Sequence, residues 1–574
     1  MNELVVNRPT NVDRRTALRE AARAVAGAVL PALPAGYTSR PAMRRSLRAA
    51  QSFDSSALPP APPLGAIVLH RLGFGPRPGD MTAWQSLGAN DDARLVAWVD
   101  QQLNPAAIND TVANTRLAAS GFTTLNKSLV QLWQDHHLTD PPWEIREQPF
   151  YEVEMATFVR AIHSQRQLFE RMVEFWHNHF SVYGYDFLIG PTWAAYDRDV
   201  IRANALGNFR TLLEAVTKSN AMLYYLNNSV NSVDGPNENY AREVQELHTL
   251  GAENYFGAIP ASQVPRDGTG RALGYCDEDV TAVARCLTGW TLRDRSWDPN
   301  FGDTGEFFYY HPWHDTGAKT FLGVNIPAGQ PAMKDGRDVL DILATHPGTA
   351  KFICKKLCRR FVADQPPQSL VDAAVATFLA NTAAPDQLKR VMRTIALSAE
   401  FKTTWGQKTK RPFEAAVGMF RAAGGDLPFR LDDNQATSWF SWMFYQTGHP
   451  LFQWHPPNGY PDVKEAWKTT SPKVMTWRLA NMLVQVDNGA GQYYLNVIGQ
   501  TPANVRTAWQ ITTYWTERLL GYFPPTEEFE ILLDFMAQGR NPHVNLPFDT
   551  DEDTRDRVRA LVAVIFMSPS FHFR

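Results

Sequence analysis

The sequence predicts a mainly α fold. It reads as one large multi-helical domain with an irregular aromatic-, Gly- and Pro-rich loop or small hairpin excursion near residues 293–331. Three observations carry this. Apolar residues recur at three- and four-residue steps along most of the chain, the period of amphipathic helices. Strict apolar/polar alternation, the mark of half-buried strands, is nearly absent. The stretch from Arg293 to Pro331 keeps neither period, and long aperiodic loops inside compact domains are often functional.

Taken in order, residues 1–36 have the form of a twin-arginine export signal. Asp13-Arg14-Arg15-Thr16-Ala17-Leu18 precedes an Ala-, Val- and Leu-rich region from Ala21 to Gly36. That reading expects an exported bacterial protein, periplasmic or extracellular; the other reading is an amphipathic Ala-rich helix, since Arg19 and Arg23 interrupt the apolar region. Residues 37–65, ending in SALPPAPPLG, read as a Pro/Ala-rich linker, and the helical domain is expected over 66–574. Helices are expected over Phe150 to Phe180, Trp193 to Val216, Pro236 to Leu250 with Gly251 as its cap, and Asp277 to Trp290. After the excursion they return at Gly336–Leu343, Thr349–Val362, Leu370–Leu379, Gln387–Leu397, Arg411–Ala423 and Gln435–Gln446, and from Ala466 onward. Nothing downstream of the N-terminal segment supplies the roughly 18 consecutive apolar residues of a membrane span.

Composition narrows the partners. Net charge is −3, from 56 basic and 59 acidic residues, and without a basic face nucleic acid is not an expected partner. Seventeen Trp suit a large core or a polymer-facing cleft, core being the commoner use. The four Cys (Cys276, Cys286, Cys354, Cys358) are too few for a disulfide scaffold and leave room for one or two bridges. Cys354 and Cys358 share a helix face and read as small buried residues.

Chemistry-bearing groups concentrate between Phe175 and Gly251. His177 and His179, in Phe-Trp-His-Asn-His-Phe, point about 200° apart on a helix, so they share one ion only where the helix ends. Glu174 and His177 form Glu-x-x-His, but the second such pair of a di-metal bundle is missing. Glu238, Arg242 and Glu246 make one stripe at four-residue steps. Such a stripe is either an exposed ion-pair ladder or part of a site at a helix start that offers free N–H groups. His248 reads equally as a core residue or a ligand. In the excursion, His311, His314, Asp315 and Lys319 gather around Gly317, where either His314 or Asp315 completes a site begun at His177, or Asp315 only caps the turn. Gln453-Trp-His-Pro-Pro-Asn-Gly-Tyr-Pro-Asp462 reads as a rigid loop that walls a cleft or packs as a connection. There is no GxSxG elbow, HExxH helix or nucleotide-binding glycine loop, and no nucleotide cofactor is expected.

These ordered segments resemble one bacterial family. HRLGFGP at His70, FWHNHFSV at Phe175, RDVIRANALGNFR at Arg198, GPNENYAREVQELHTLG at Gly235, DVTAVARCLTGW at Asp279, HPWHDTGAKTFLG at His311, FICKKLCRRFV at Phe352 and HPLFQWHPPNGYPD at His449 are similar to the DUF1800 family. The resemblance covers roughly residues 65 to 574. It implies a largely helical protein, often with a twin-arginine signal and often accompanied by an exported, sulfatase-like DUF1501 protein. It implies no particular reaction.

The leading expectation is an exported metal-assisted enzyme, hydrolytic or oxidative. His177, His179 and His314 would hold a divalent transition metal (Zn, Mn, Fe or Cu), with Glu238, Arg242, Glu246 and Asp315 as catalytic groups. The rival expectation is a non-catalytic helical partner or scaffold for a co-exported enzyme or surface polymer. A third, a glycan-binding module, rests on the Trp content.

Overall fold

Where the sequence suggests one helix from Phe150 to Phe180, the chain forms two. Helix α1 spans Gln148–His163 and α2 spans Gln167–His179. Ser164 is extended between them, and its hydroxyl donates to Asp110 Oδ2 and accepts from Arg166 N. The Gln167 carboxamide then donates to the carbonyls of Ala161 and Ser164. Polar side chains thus satisfy the backbone groups that the break exposes. The second long helix expected, Trp193 to Val216, is also interrupted. Tyr196–Arg202 is a wide π-helical segment, after which Asn208 caps a new helix, Phe209–Thr217.

These observations come from a computed structural model that describes residues 59–295, 300, 302–432, 435–485 and 494–574. The expected export signal and most of the expected linker lie outside the described residues. The first described helix opens at Leu64, just ahead of the expected domain start, and the described residues fall within a single compact unit, Leu58–Arg574.

The fold is mainly α. Helix α3, Glu238–Glu246, starts two residues later than Pro236 suggests, because the Asn237 side chain caps it by accepting from Asn239 N. It ends at Glu246 with Leu247 as its C-cap, short of the expected Leu250, so Gly251 is not its cap. Gly251, at φ +90°, turns the chain further on, and a Cβ there would meet the Phe352 ring at 2.7 Å, so only glycine allows this approach. Helix α4 covers Asp277–Cys286. It stops short of the expected Trp290 because that residue opens a strand.

The excursion is two small antiparallel hairpins. β1 (Trp290–Asp294) pairs with β2 (Asp303–Tyr309), and β3 (Lys319–Phe321) with β4 (Val324–Ile326). Helices resume after it, among them α5, Pro347–Phe361, and α6, Pro412–Ala423. Every residue of α6 is buried, which marks it as the central helix of the core. Gly424, in the left-handed region, terminates it. All four Cys are free and buried. Among the described residues six Trp, from Trp84 to Trp515, are fully buried, whereas Trp439, Trp442 and Trp477 are exposed. Among the described residues no helix is long and apolar enough to cross a membrane.

Candidate active-site cleft

A cleft of about 330 Å³ lies at the C-terminal end of α2. Helix α2 contributes Glu174, Asn178 and His179; α5 contributes Phe352, Lys356, Arg359 and Arg360; Arg411 enters from the start of α6. Leu247 and the Trp454–Asp462 loop complete the wall, so the aromatic and Pro-rich segment does line a cleft. Asn178 pins that loop: its Nδ2 donates to Tyr460 O at 3.0 Å, and its Oδ1 accepts from Tyr460 N at 2.8 Å. A Cβ at Gly459 would lie 2.1 Å from Asn178 O, so the loop can sit this close only with glycine there.

The two neighbouring histidines diverge, as their spacing requires. His179 Nε2 donates to the His248 carbonyl at 3.2 Å, and its Nδ1 accepts from Lys356 Nζ at 2.9 Å. Both ring nitrogens are therefore engaged; burial, with Lys356 adding to it, holds the ring neutral by pushing its pKa well down. Burial likewise draws the Lys356 ammonium down to about 8. His177 turns to Asp197 on the π-helical segment, with Nε2 3.0 Å from Oδ1. Asp197 Oδ2 lies 3.5 Å from Arg160. Burial raises the Asp197 pKa, but Arg202, His177 and Arg160 outweigh it and hold the carboxyl at about 2. The second ring nitrogen of His177, Nδ1, is buried and makes no hydrogen bond. A pocket of about 30 Å³ touches His177, Ser181 and Phe452 and shares Glu174, Asn178, Trp454 and Tyr460 with the cleft. That is room for one water.

Beneath the cleft lies a buried ionic network. Glu174 pairs with Arg360 and Arg411. Glu414 of α6 pairs with Arg171 and Arg360, each at 2.7 Å, and with Arg574 at 3.1 Å. Asp462 meets Lys408 at 3.2 Å and Arg360 at 3.5 Å. Burial pushes all three carboxyls up, yet the surrounding cations hold them below the ordinary carboxylate range.

The other residues singled out from sequence lie elsewhere. Glu238 is exposed and Arg242 half-buried; Arg242 reaches Glu238 at 3.6 Å and Asp277 at 3.4 Å, as an ion-pair ladder. Glu246 is half-buried on the same helix. His248 is fully buried, with neither ring nitrogen hydrogen-bonded. Asp315 accepts from Gly317 N at 2.8 Å and from Arg285 Nε at 2.6 Å, so it caps the turn. His314 places Nδ1 3.0 Å from Thr288 O and Nε2 3.3 Å from Asp335. Asp335 is also paired with the buried Lys319.

This bears on the expected metal. Among the described residues, no three His, Cys, Asp or Glu side chains converge as a ligand set. His179 and His314 have both ring nitrogens occupied, and a cation beside Asp335 would meet the Lys319 ammonium. The residues present do not fit a His177/His179/His314 centre.

Sequence reasoning did not single out Asp197, Lys356, Arg360, Arg411 or Glu414. The available signal was an Asp directly after the Trp193-Ala-Ala-Tyr196 stretch and a run of cations inside an otherwise apolar helix, Phe352–Val362.

Over residues 67–573 the chain matches the family described as Protein of unknown function (DUF1800). No curated protein and no solved structure matches it.

Proposed function

The chain belongs to the DUF1800 family, whose description assigns no reaction, and we propose from the cleft that it is a hydrolase acting on an anionic substrate. The supporting observation is His177: Asp197 holds its Nε2, while Nδ1 is unpartnered beside a water-sized pocket that adjoins a cation-lined cleft. With Nε2–H donated to the carboxylate, Nδ1 is the basic atom of the neutral ring. It takes the proton from a water as that water attacks the substrate, and Asp197 stabilises the imidazolium that forms. Lys356, Arg359 and Arg411 line the place where an anionic group binds and where negative charge develops. Export by the twin-arginine route and a DUF1501-like companion belong to the same reading, the first resting on residues 13–36 and the second on the family resemblance.

A second reading, a non-catalytic partner, draws support from the saturated contacts of His314 and Asp315 and from the closed ionic network under the cleft. One experiment separates the two. Wild type and His177→Gln are assayed against 4-nitrophenyl phosphate, sulfate and acetate. The hydrolase reading expects turnover of an anionic ester, lowered by a factor of about 10²–10⁴ in the variant, with Lys356→Met raising KM. No turnover of any of these esters, or equal rates in a folded His177→Gln variant, would move the assignment to the partner.

A further inference from the structure

A second cavity, of about 440 Å³, is lined by Phe169 and Glu170 near the start of α2. Its polar lining brings three guanidinium groups together: Arg160 of α1, Arg166 of the break, and Arg202 at the end of the π-helical segment. Two of the three are compensated. Arg202 donates to Glu170 at 2.5 Å and lies over the Phe169 ring. Arg166 donates to the Ile108 carbonyl at 3.1 Å and stands 3.9 Å from Asp110. Arg160 differs. Its Nη1 is buried without a hydrogen bond, and its ion contact is with Asp197 at 3.5 Å, a carboxylate that also serves His177.

The rest of the lining mixes an apolar side, Leu117, Phe122, Leu125 and Phe169, with the polar Asp110, Asn114, Asn126 and Glu170. The volume falls within the roughly 300–1,000 Å³ of small-molecule sites, which combine an apolar lining with a few placed polar groups. A cationic ligand would oppose three guanidinium groups, and the two lining carboxylates, Glu170 and Asp110, are already engaged by Arg202 and Arg166. A neutral apolar ligand would leave Arg160 Nη1 with its long ion contact to Asp197 and no hydrogen bond. An oxyanion supplies the acceptor that Asp197 does not, in the planar two-point geometry that guanidinium favours. We propose that this cavity binds an amphipathic oxyanion, a carboxylate or phosphate group carried on an apolar body, with Arg160 receiving the anionic group and the Phe122–Phe169 wall its apolar part. Burial and the neighbouring Arg202 draw the Arg160 pKa down to about 10 despite three carboxylates nearby, which is consistent with a cation short of compensation. The inference stands apart from the hydrolase reading, because it concerns a different cavity and its readout is binding.

The test is calorimetric titration of the full chain with phenyl phosphate, benzoate and inorganic phosphate, repeated on Arg160→Gln and Ala118→Trp. Ala118 is an exposed residue at the cavity wall, so tryptophan there fills the space without altering charge. The expected result is one equivalent of phenyl phosphate or benzoate bound, with inorganic phosphate at least tenfold weaker. Arg160→Gln should lose at least tenfold in affinity, and Ala118→Trp should abolish binding. Should Arg160→Gln not fold, Ala118→Trp alone decides. Absence of binding by both organic anions overturns the proposal. So does binding that survives both substitutions but falls in Lys356→Met, because it would then belong to the cleft.

Discussion

His177 Nε2 lies 3.0 Å from Asp197 Oδ1 across the contact between α2 and the π-helical segment. The carboxylate, held ionised by its cationic neighbours, selects the tautomer with Nδ1 free. Asp197→Asn should therefore act on turnover rather than on binding. An amide cannot stabilise an imidazolium, so kcat is expected to fall by a factor of about 10²–10⁴ with KM little changed. Steady-state kinetics on the anionic ester that the hydrolase reading expects to be turned over checks this. A variant that changes KM alone would mean that Asp197 only shapes the cleft.

Metal removal addresses the chemistry expected from sequence. Because the three histidines are apart and two of them have both ring nitrogens engaged, prolonged dialysis against a chelator should leave hydrolysis within about twofold of the untreated rate. Loss of activity restored by one added transition metal would reinstate the metal-assisted reading and require ligands other than this trio.

Glu414 is the carboxylate on which the buried network converges, with Arg171, Arg360, Arg411 and Arg574 around it. Removing it leaves those guanidinium groups buried and under-compensated. Glu414→Gln should cost about 3–5 kcal/mol of stability, the usual penalty for breaking a buried pair from one side. Urea unfolding of the two proteins measures it, and a loss below about 1 kcal/mol would show that Glu174 and Asp462 suffice.

Much of the architecture was legible because it follows local periodicity. The helices from α5 to α6 fall within a few residues of where apolar spacing places them, and the Arg293–Pro331 stretch turned into hairpins rather than helix because its Gly and aromatic residues keep no helical period. The breaks were less legible. Ser164 interrupts α1–α2 through contacts with Asp110 and Gln167, one of them 54 residues distant, and no local rule announces that. At the site, sequence spacing correctly set His177 and His179 on different faces. It could not say that Lys356, 177 positions beyond His179, closes one face, nor that Asp315 spends its carboxylate on Gly317 and Arg285. Residues joined by helix packing carry no spacing signal, whereas residues joined by one helix turn do.

Glu154 gives a stability signal that is independent of the cleft chemistry. Its side chain is fully buried in α1, with Oε2 accepting from the Tyr445 hydroxyl and Oε1 without a partner. Burial pushes its pKa from 4.5 up to about 8, against the smaller opposing effects of Tyr445 and the Leu451 backbone. The folded chain thus keeps this proton between pH 4.5 and 8, while the unfolded chain releases it. The stability Glu154 contributes is fully present below pH 4.5 and is lost as pH rises through 8, at a limiting slope of about 1.4 kcal/mol per pH unit. Glu154→Gln keeps an acceptor for Tyr445 but does not titrate. Relative to wild type, the variant should gain stability steadily from pH 5 to pH 8 and level off above it, as read from urea midpoints at each pH. Parallel wild-type and variant curves would mean that Glu154 is ionised in the folded chain, with a compensating cation supplied by local rearrangement.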